Sequence, residues 1–140
     1  MRILVVEDEL LIAMDIESKI VVAGHECVGV VPSGRAALAA LEDTPADVVI
    51  MDLQLADGPS GVSVAREVRE TFGTAIVFLS ANADDPTWRD KMVDVSGGHV
   101  LSKPCTADEI IRAVEAAGRE VPRGASSQDD KRPVEDRASV

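Results

Sequence analysis

Five short runs of apolar, mostly β-branched residues recur along this chain, with segments of helical periodicity between them. The runs are Ile3–Val6, Val28–Val31, Val48–Met51, Ile76–Leu79 and Val100–Leu101. They show little polar alternation, the mark of strands buried on both faces. Between them, Ile12, Ile16, Ile20 and Ala23 fall on one helical stripe, and Gly61, Ala65, Val68 and Phe72 on another. Gly24 and Gly73 follow these two patterns, where a glycine can close a helix at positive φ with little steric cost. Thr106 and Glu109 have the spacing of a capping box, opening a last helix whose inner face carries Ile110, Ala113, Val114 and Ala117. Weaker patterns near Ser33–Glu42 and Asp85–Val95 supply a second and a fourth helix. Such alternation requires a parallel sheet with right-handed crossovers and helices on both faces. The expected fold is a doubly wound, five-stranded parallel α/β domain.

The 140 residues suit one such domain, and an apolar fraction of 46% is enough to fill its core. Residues 1–118 are expected to form the domain, and 119–140 a disordered polar tail of Pro, Gly, Ser and mixed charge, too poor in apolar residues to offset the entropy of ordering. That tail carries five basic and five acidic residues, so the net charge of −11 belongs to the domain. A surface this acidic repels nucleic-acid backbones and anionic membranes, which argues against both as partners. The apolar run at Ile3–Val6 is too short for a signal peptide or a membrane span, and a cytoplasmic location is expected. Cys27 and Cys105 lack metal-ligand spacing and read as reduced structural thiols. No repeat and no second domain is evident, so the domain is expected to signal by contact.

In open α/β sheets ligands collect beyond the carboxyl ends of the strands. Those ends here carry Glu7-Asp8-Glu9, Asp52, Ser80 and Lys103-Pro104. Taken singly, each has an ordinary explanation: solvated loop charges, a turn aspartate or serine, a surface lysine. Together they place several carboxylates, a hydroxyl and an ammonium at one edge. Carboxylates gathered that closely cannot all stay ionised cheaply without a cation. A hard divalent ion that accepts one or two carboxylates plus phosphate oxygens, Mg²⁺, fits such a set. Lys103 adds a positive charge able to pair with Asp52 and, afterwards, with a phosphoryl oxygen.

These residues carry a resemblance. ILVVEDE at 3–9, VVIMDLQL at 48–55, FLSA at 78–81 and LSKP at 101–104 are similar, in order and spacing, to the receiver domains of bacterial two-component response regulators, over essentially all of residues 1–118. The resemblance implies a flavodoxin-like receiver fold and a stand-alone response regulator in a phosphorelay. Asp52 matches the aspartate that takes a phosphoryl group from a sensor histidine kinase or phosphotransfer protein, a transfer the receiver itself catalyses. Asp8 and Asp52 match direct Mg²⁺ ligands, Glu7 an acidic residue holding the metal through water, and Gln54 the ligand that binds by its main-chain carbonyl. Ser80 matches the switch hydroxyl and Lys103 the lysine that bonds the phosphoryl group. The Lys103–Pro104 peptide is similar to one usually cis in the family. Gln54 and Asn82 match positions that tune how quickly water removes the phosphoryl group.

Two departures stand out. Where many receivers have a tyrosine or phenylalanine that swings inward on activation, this chain has Val100, and it has no tyrosine at all. Neighbouring His99 points to the opposite face of a strand and is no substitute. The 56–61 loop, Ala56-Asp57-Gly58-Pro59-Ser60-Gly61, is one residue longer than the common version. His25 reads as capping a turn, Trp88 as partly buried on the fourth helix or presented to a partner, and Gly97-Gly98 as a turn. A flavodoxin-like redox protein is disfavoured because Glu7-Asp8-Glu9 would repel a flavin phosphate. An aspartyl-phosphate phosphatase is disfavoured because Gln54 stands where a D-x-D pattern needs its second acid. The surviving alternative is a receiver-fold adaptor or phosphate sink without a phosphorylation-driven output. A homodimer through the last helix is compatible with its apolar residues.

Overall fold

The computed structural model describes residues 1–53, 60–81 and 83–120. Its elements alternate as β1 (Arg2–Val6), α1 (Leu10–Val22), β2 (Glu26–Val31), α2 (Gly34–Asp43), β3 (Val48–Asp52), α3 (Ser60–Phe72), β4 (Ala75–Ser80), α4 (Pro86–Ser96), β5 (Val100–Ser102) and α5 (Ala107–Glu120). The strands form one sheet in the order β2-β1-β3-β4-β5, every neighbouring pair parallel. The doubly wound fold is as the sequence implied. The winding direction reverses between β1 and β3, the place where such sheets open a crevice at their carboxyl ends.

Side chains of successive strand residues part to opposite layers. Leu4, Val6, Val49, Met51, Ile76 and Phe78 pack with the inner faces of α2, α3 and α4. Ile3, Val5, Val48, Ile50, Val77 and Leu79 pack with α1 and α5. All of β3 and β4 is buried, which is why those two runs lack polar alternation. Each such Val, Ile or Phe contributes about 1.5–3 kcal/mol by leaving water.

Two helices open on side-chain caps, the second of them anticipated. Ser33 Oγ accepts from the Ala36 N–H at 3.2 Å, opening α2. The Glu109 N–H donates to Thr106 Oγ1 at 3.1 Å while the Thr106 N–H donates to Glu109 Oε1 at 2.7 Å, a complete capping box. Those hydrogen bonds hold the Glu109 carboxyl below its ordinary range. Gly24, Gly73, Gly97 and Gly98 all adopt positive φ, as the helix ends and the α4–β5 turn require.

Three details differ from the sequence reading. The buried stripe of α1 is Ala13, Ile16 and Ile20, whereas Ile12 and Ala23 are exposed: the helix is apolar nearly all round, so periodicity alone picked the wrong neighbour. α5 continues through Arg119 and Glu120, because Glu120 Oε1 meets His99 Nε2 at 2.8 Å and rewards another half-turn; the rest of the expected tail, 121–140, lies outside the described residues. His25 does more than end a turn. Its Nε2 lies 3.0 Å from Glu115 Oε2 on α5, and its Nδ1 3.0 Å from the Met1 ammonium. Cys27 and Cys105 are free, and burial pushes both thiols up. No helix among the described residues is long and apolar enough to cross a membrane.

Ile16→Ala should cost about 2–5 kcal/mol in urea unfolding, as truncation of a core isoleucine does. Ile12→Ala should cost about 1 kcal/mol or less. Equal losses would contradict the orientation of α1 described above.

Candidate functional site

The carboxyl ends of β1, β3, β4 and β5 meet above the β1/β3 junction. β1 ends at Val6, and the next residue is fixed by a Glu7 N–H to Val31 carbonyl bond of 2.9 Å. That bond turns the Glu7 side chain inward, 3% exposed, with Oε2 accepting from the Glu9 N–H at 3.1 Å. Asp52 is the last residue of β3 and 2% exposed. It sits in register with Leu79, so Ser80 projects one step beyond it from β4. The Lys103 N–H donates to the Ser80 carbonyl at 2.9 Å, which carries the β4–β5 ladder up to the lysine. From there Lys103 Nζ reaches Asp52 Oδ2 at 2.5 Å and stands 4.0 Å from Glu7 Oε1. The Lys103–Pro104 peptide bond is cis.

The electrostatics follow from this crowding. Burial pushes the Glu7 carboxyl up to about 8; the Asp52 carboxylate beside it acts in the same direction, against the Glu9 N–H and Lys103, which pull it down. At neutral pH the site therefore holds a proton on Glu7 and an ion pair between Asp52 and Lys103. Glu7 Oε1 is buried and has no hydrogen-bond partner among the described residues. Once Glu7 gives up its proton, that oxygen lies beside a second carboxylate with no donor to answer it, and a hard cation would satisfy the pair, so the residues fit Mg²⁺.

The structure brings together Glu7, Asp52, Ser80 and Lys103, but not every residue the sequence singled out. Asp8 is exposed. Among the described residues no three acidic, thiol or imidazole groups gather into a metal cluster. Gln54 and Asn82 lie outside the described residues, as does most of the 56–61 loop. Val100 packs with the α2–α4 layer while His99 reaches α5, on opposite faces as strand alternation required.

One feature escaped the sequence reading. Leu10, Leu11, Met14, Val21 and Val22 on α1 are 52–85% exposed, an outward apolar face on an otherwise acidic domain. The signal was present in LLIAMDIESKIVV, which has apolar residues on more sides than one buried stripe can use. Beside this face a cleft of about 360 Å³ opens between α1 and α5, lined by Ile12, Ile16, Leu79, Pro104 and Ile110, with Lys103 in its wall.

Comparison with known proteins gives a consistent picture. The profile of the response regulator receiver domain matches residues 3–115. The chain is 38% identical over 81 residues to the phyllosphere-induced regulator PhyR of Methylorubrum extorquens, covering 57% of this chain and 30% of that protein. It is 31% identical over 117 residues to the transcriptional regulatory protein KdpE of Mycobacterium tuberculosis, covering 84% of this chain and 50% of that one. The chain thus spans half or less of the length of these two relatives. Among solved structures, the signal receiver domain of the response regulator NarL from Mycobacterium tuberculosis superposes with a TM-score of 0.76 at 26% identity, over 85% of this chain and 96% of that one.

Glu7→Gln should stabilise the protein in a pH-dependent way. A carboxyl whose folded pKa of about 8 exceeds its ordinary 4.5 supports folding fully only below the ordinary value, and that support is lost as pH rises to 8. The gain in thermal midpoint over the wild type, measured with a chelator present, should grow between pH 5 and pH 8 and then level off. Relief of about 1 kcal/mol is worth roughly 2–8 °C in a domain of this size. A gain independent of pH would remove Glu7 ionisation as its source.

Proposed function

This chain belongs to the response regulator receiver domains, the phosphoacceptor modules of two-component signalling, and on that premise we propose that it takes a phosphoryl group on Asp52 from a histidine kinase or phosphotransfer protein. The observation that carries the reading is the buried Asp52 carboxylate held at 2.5 Å by Lys103 Nζ, beside a Glu7 oxygen with no hydrogen-bond partner among the described residues. An aspartate 2% exposed and paired with a lysine is aimed, with its charge balanced, at an electrophile arriving from the open edge of the sheet.

Glu7, Asp8 and Asp52 would hold Mg²⁺, with the Gln54 carbonyl the further ligand that the family resemblance assigns. Bound there, the ion supplies positive charge for the equatorial oxygens of the transferred group. The chain's own residues do the rest. An Asp52 carboxylate oxygen attacks phosphorus in line, a P–O bond forms, and the P–N bond to the donor imidazole breaks with its electron pair returning to the ring. Lys103 exchanges its Asp52 contact for a phosphoryl oxygen, and the Ser80 hydroxyl donates to another. The aspartyl phosphate carries about −1.5 to −2 charges where there was one, so it pulls both groups more strongly than the free carboxylate did. Phosphoryl transfer is a matter of positioning and charge, and this site supplies both without a general base.

The apolar outer face of α1 and the adjoining cleft suit the donor. Leu10, Leu11 and Met14, at the start of that exposed face, offer a helix-against-helix contact within reach of the Asp52 edge. The domain's −11 charge favours a donor with basic residues around its own apolar stripe.

Intact-mass spectrometry of the protein treated with acetyl phosphate, with and without Mg²⁺, tests the assignment. A metal-dependent phosphoryl adduct on the wild type and none on Asp52→Asn is expected. Loss of the adduct in both, with a known receiver labelled in parallel, would turn the reading toward an adaptor that signals without phosphorylation. In a donor-protein assay, Leu11→Glu should slow transfer at least tenfold while leaving labelling by acetyl phosphate unchanged.

A further inference from the structure

The receiver reading leaves a mechanical question: with Val100 on β5 there is no ring to swing, so another group must turn events at Asp52 into movement of the surface. The chain has three aromatic rings, Phe72, Phe78 and Trp88. Phe78 is fully buried in mid-strand, locked between the sheet and its helices. Phe72 ends α3, at the amino edge of the sheet, away from the site. Trp88 alone lies at the carboxyl edge. It occupies the first turn of α4, on the same stripe as Met92, Val95 and Ser96, which are 1–2% exposed. There it packs, partly buried, against the hydrophobic cluster that also receives Val100.

The attachments of α4 are uneven. Its carboxyl half is pinned to α3, where Arg66 Nη2 meets Asp94 Oδ2 at 3.0 Å and Arg69 Nη1 donates to the Val95 carbonyl at 2.8 Å. Its amino half is tied instead to the connection that descends from Ser80. Arg89 Nη1 donates to the Ala83 carbonyl at 3.1 Å, the Trp88 N–H donates to the Asp85 carbonyl at 3.1 Å, and Ala83 itself is buried. A helix fixed at its carboxyl end, with its first turns tied to Ala83 three residues after Ser80, is built to act as a lever. On its outer side the Trp88 ring lies under Lys91, whose Nζ is 5.0 Å from the ring centroid.

From this geometry, and resting on the receiver reading, we infer that Trp88 is the aromatic lever of this switch: inward movement of Ser80 shifts the connection held by Arg89, reseats the Trp88 ring and moves exposed Lys91 with it. The signal is read on the first turns of α4. Trp88 is a positioning residue, and Arg89 couples it to the loop.

Beryllofluoride with Mg²⁺, added to the full chain, provides the test, with fluorine NMR reporting adduct formation and the emission of the single tryptophan reporting the ring. The adduct should shift the emission maximum by several nanometres and change amide hydrogen exchange across Pro86–Ser96. Arg89→Gln should form the adduct with less than half of that emission shift. Trp88→Ala should form the adduct and lose the exchange response, and Trp88→Phe should restore it. An adduct visible by fluorine NMR with unmoved emission, or an exchange response that survives in Trp88→Ala, overturns the inference. Absence of the fluorine signal overturns the receiver reading itself, and the lever with it.

Discussion

Everything at the working edge of this molecule depends on one unequal balance of charge: two buried carboxylates, Glu7 and Asp52, answered by a single ammonium from Lys103. Two ionised acids cannot share so dry a place with one cation, and the surplus is carried as a proton on Glu7, whose carboxyl is pushed up to about 8. A divalent ion or a phosphoryl group would change the sum that Lys103 answers. Because Lys103 follows β5 and its backbone is bonded to Ser80 on β4, the charge at Asp52 is tied through one side chain to the ends of two strands.

The fold was legible in the sequence because its determinants are local or periodic. Strands buried on both faces must be continuously apolar, and five such runs with helices between them leave few topologies open. The core of the site was legible too, since a parallel sheet sends the residues after each strand to the same edge. What eluded the sequence was contact across layers. Nothing near His25 announces Glu115, and nothing near His99 announces Glu120; both pairings arise from how α5 lies across the sheet. α1 was misread for the opposite reason: a helix apolar on nearly all sides has more candidate inner faces than it can use, and only packing chose Ala13 over Ile12. Two consecutive acids at the end of β1 look alike in sequence, yet backbone pairing turns Glu7 inward and leaves Asp8 exposed, a difference no local pattern announces.

The two faces of the sheet are furnished differently. One layer, α1 and α5, carries the exposed apolar face and the cleft beside Lys103, the side from which a donor can approach Asp52. The other, α2 to α4, carries the ties from the Ser80 connection into α4. On the proposals above, input and output would occupy opposite sides of a sheet one strand thick. Lys103 and Ser80, adjacent at its carboxyl edge, are where the two sides meet.

The short β5 strand adds a consequence for how such a protein can diversify. His99 holds α5 through Glu120, and Val100, the next residue, packs into the layer of α4. Substitutions at two consecutive codons therefore act on different helices, with little crosstalk through the strand itself. A change at one of the two positions can thus reseat one helix while the other keeps its place, so the two can drift one at a time without an intermediate that has unsettled both.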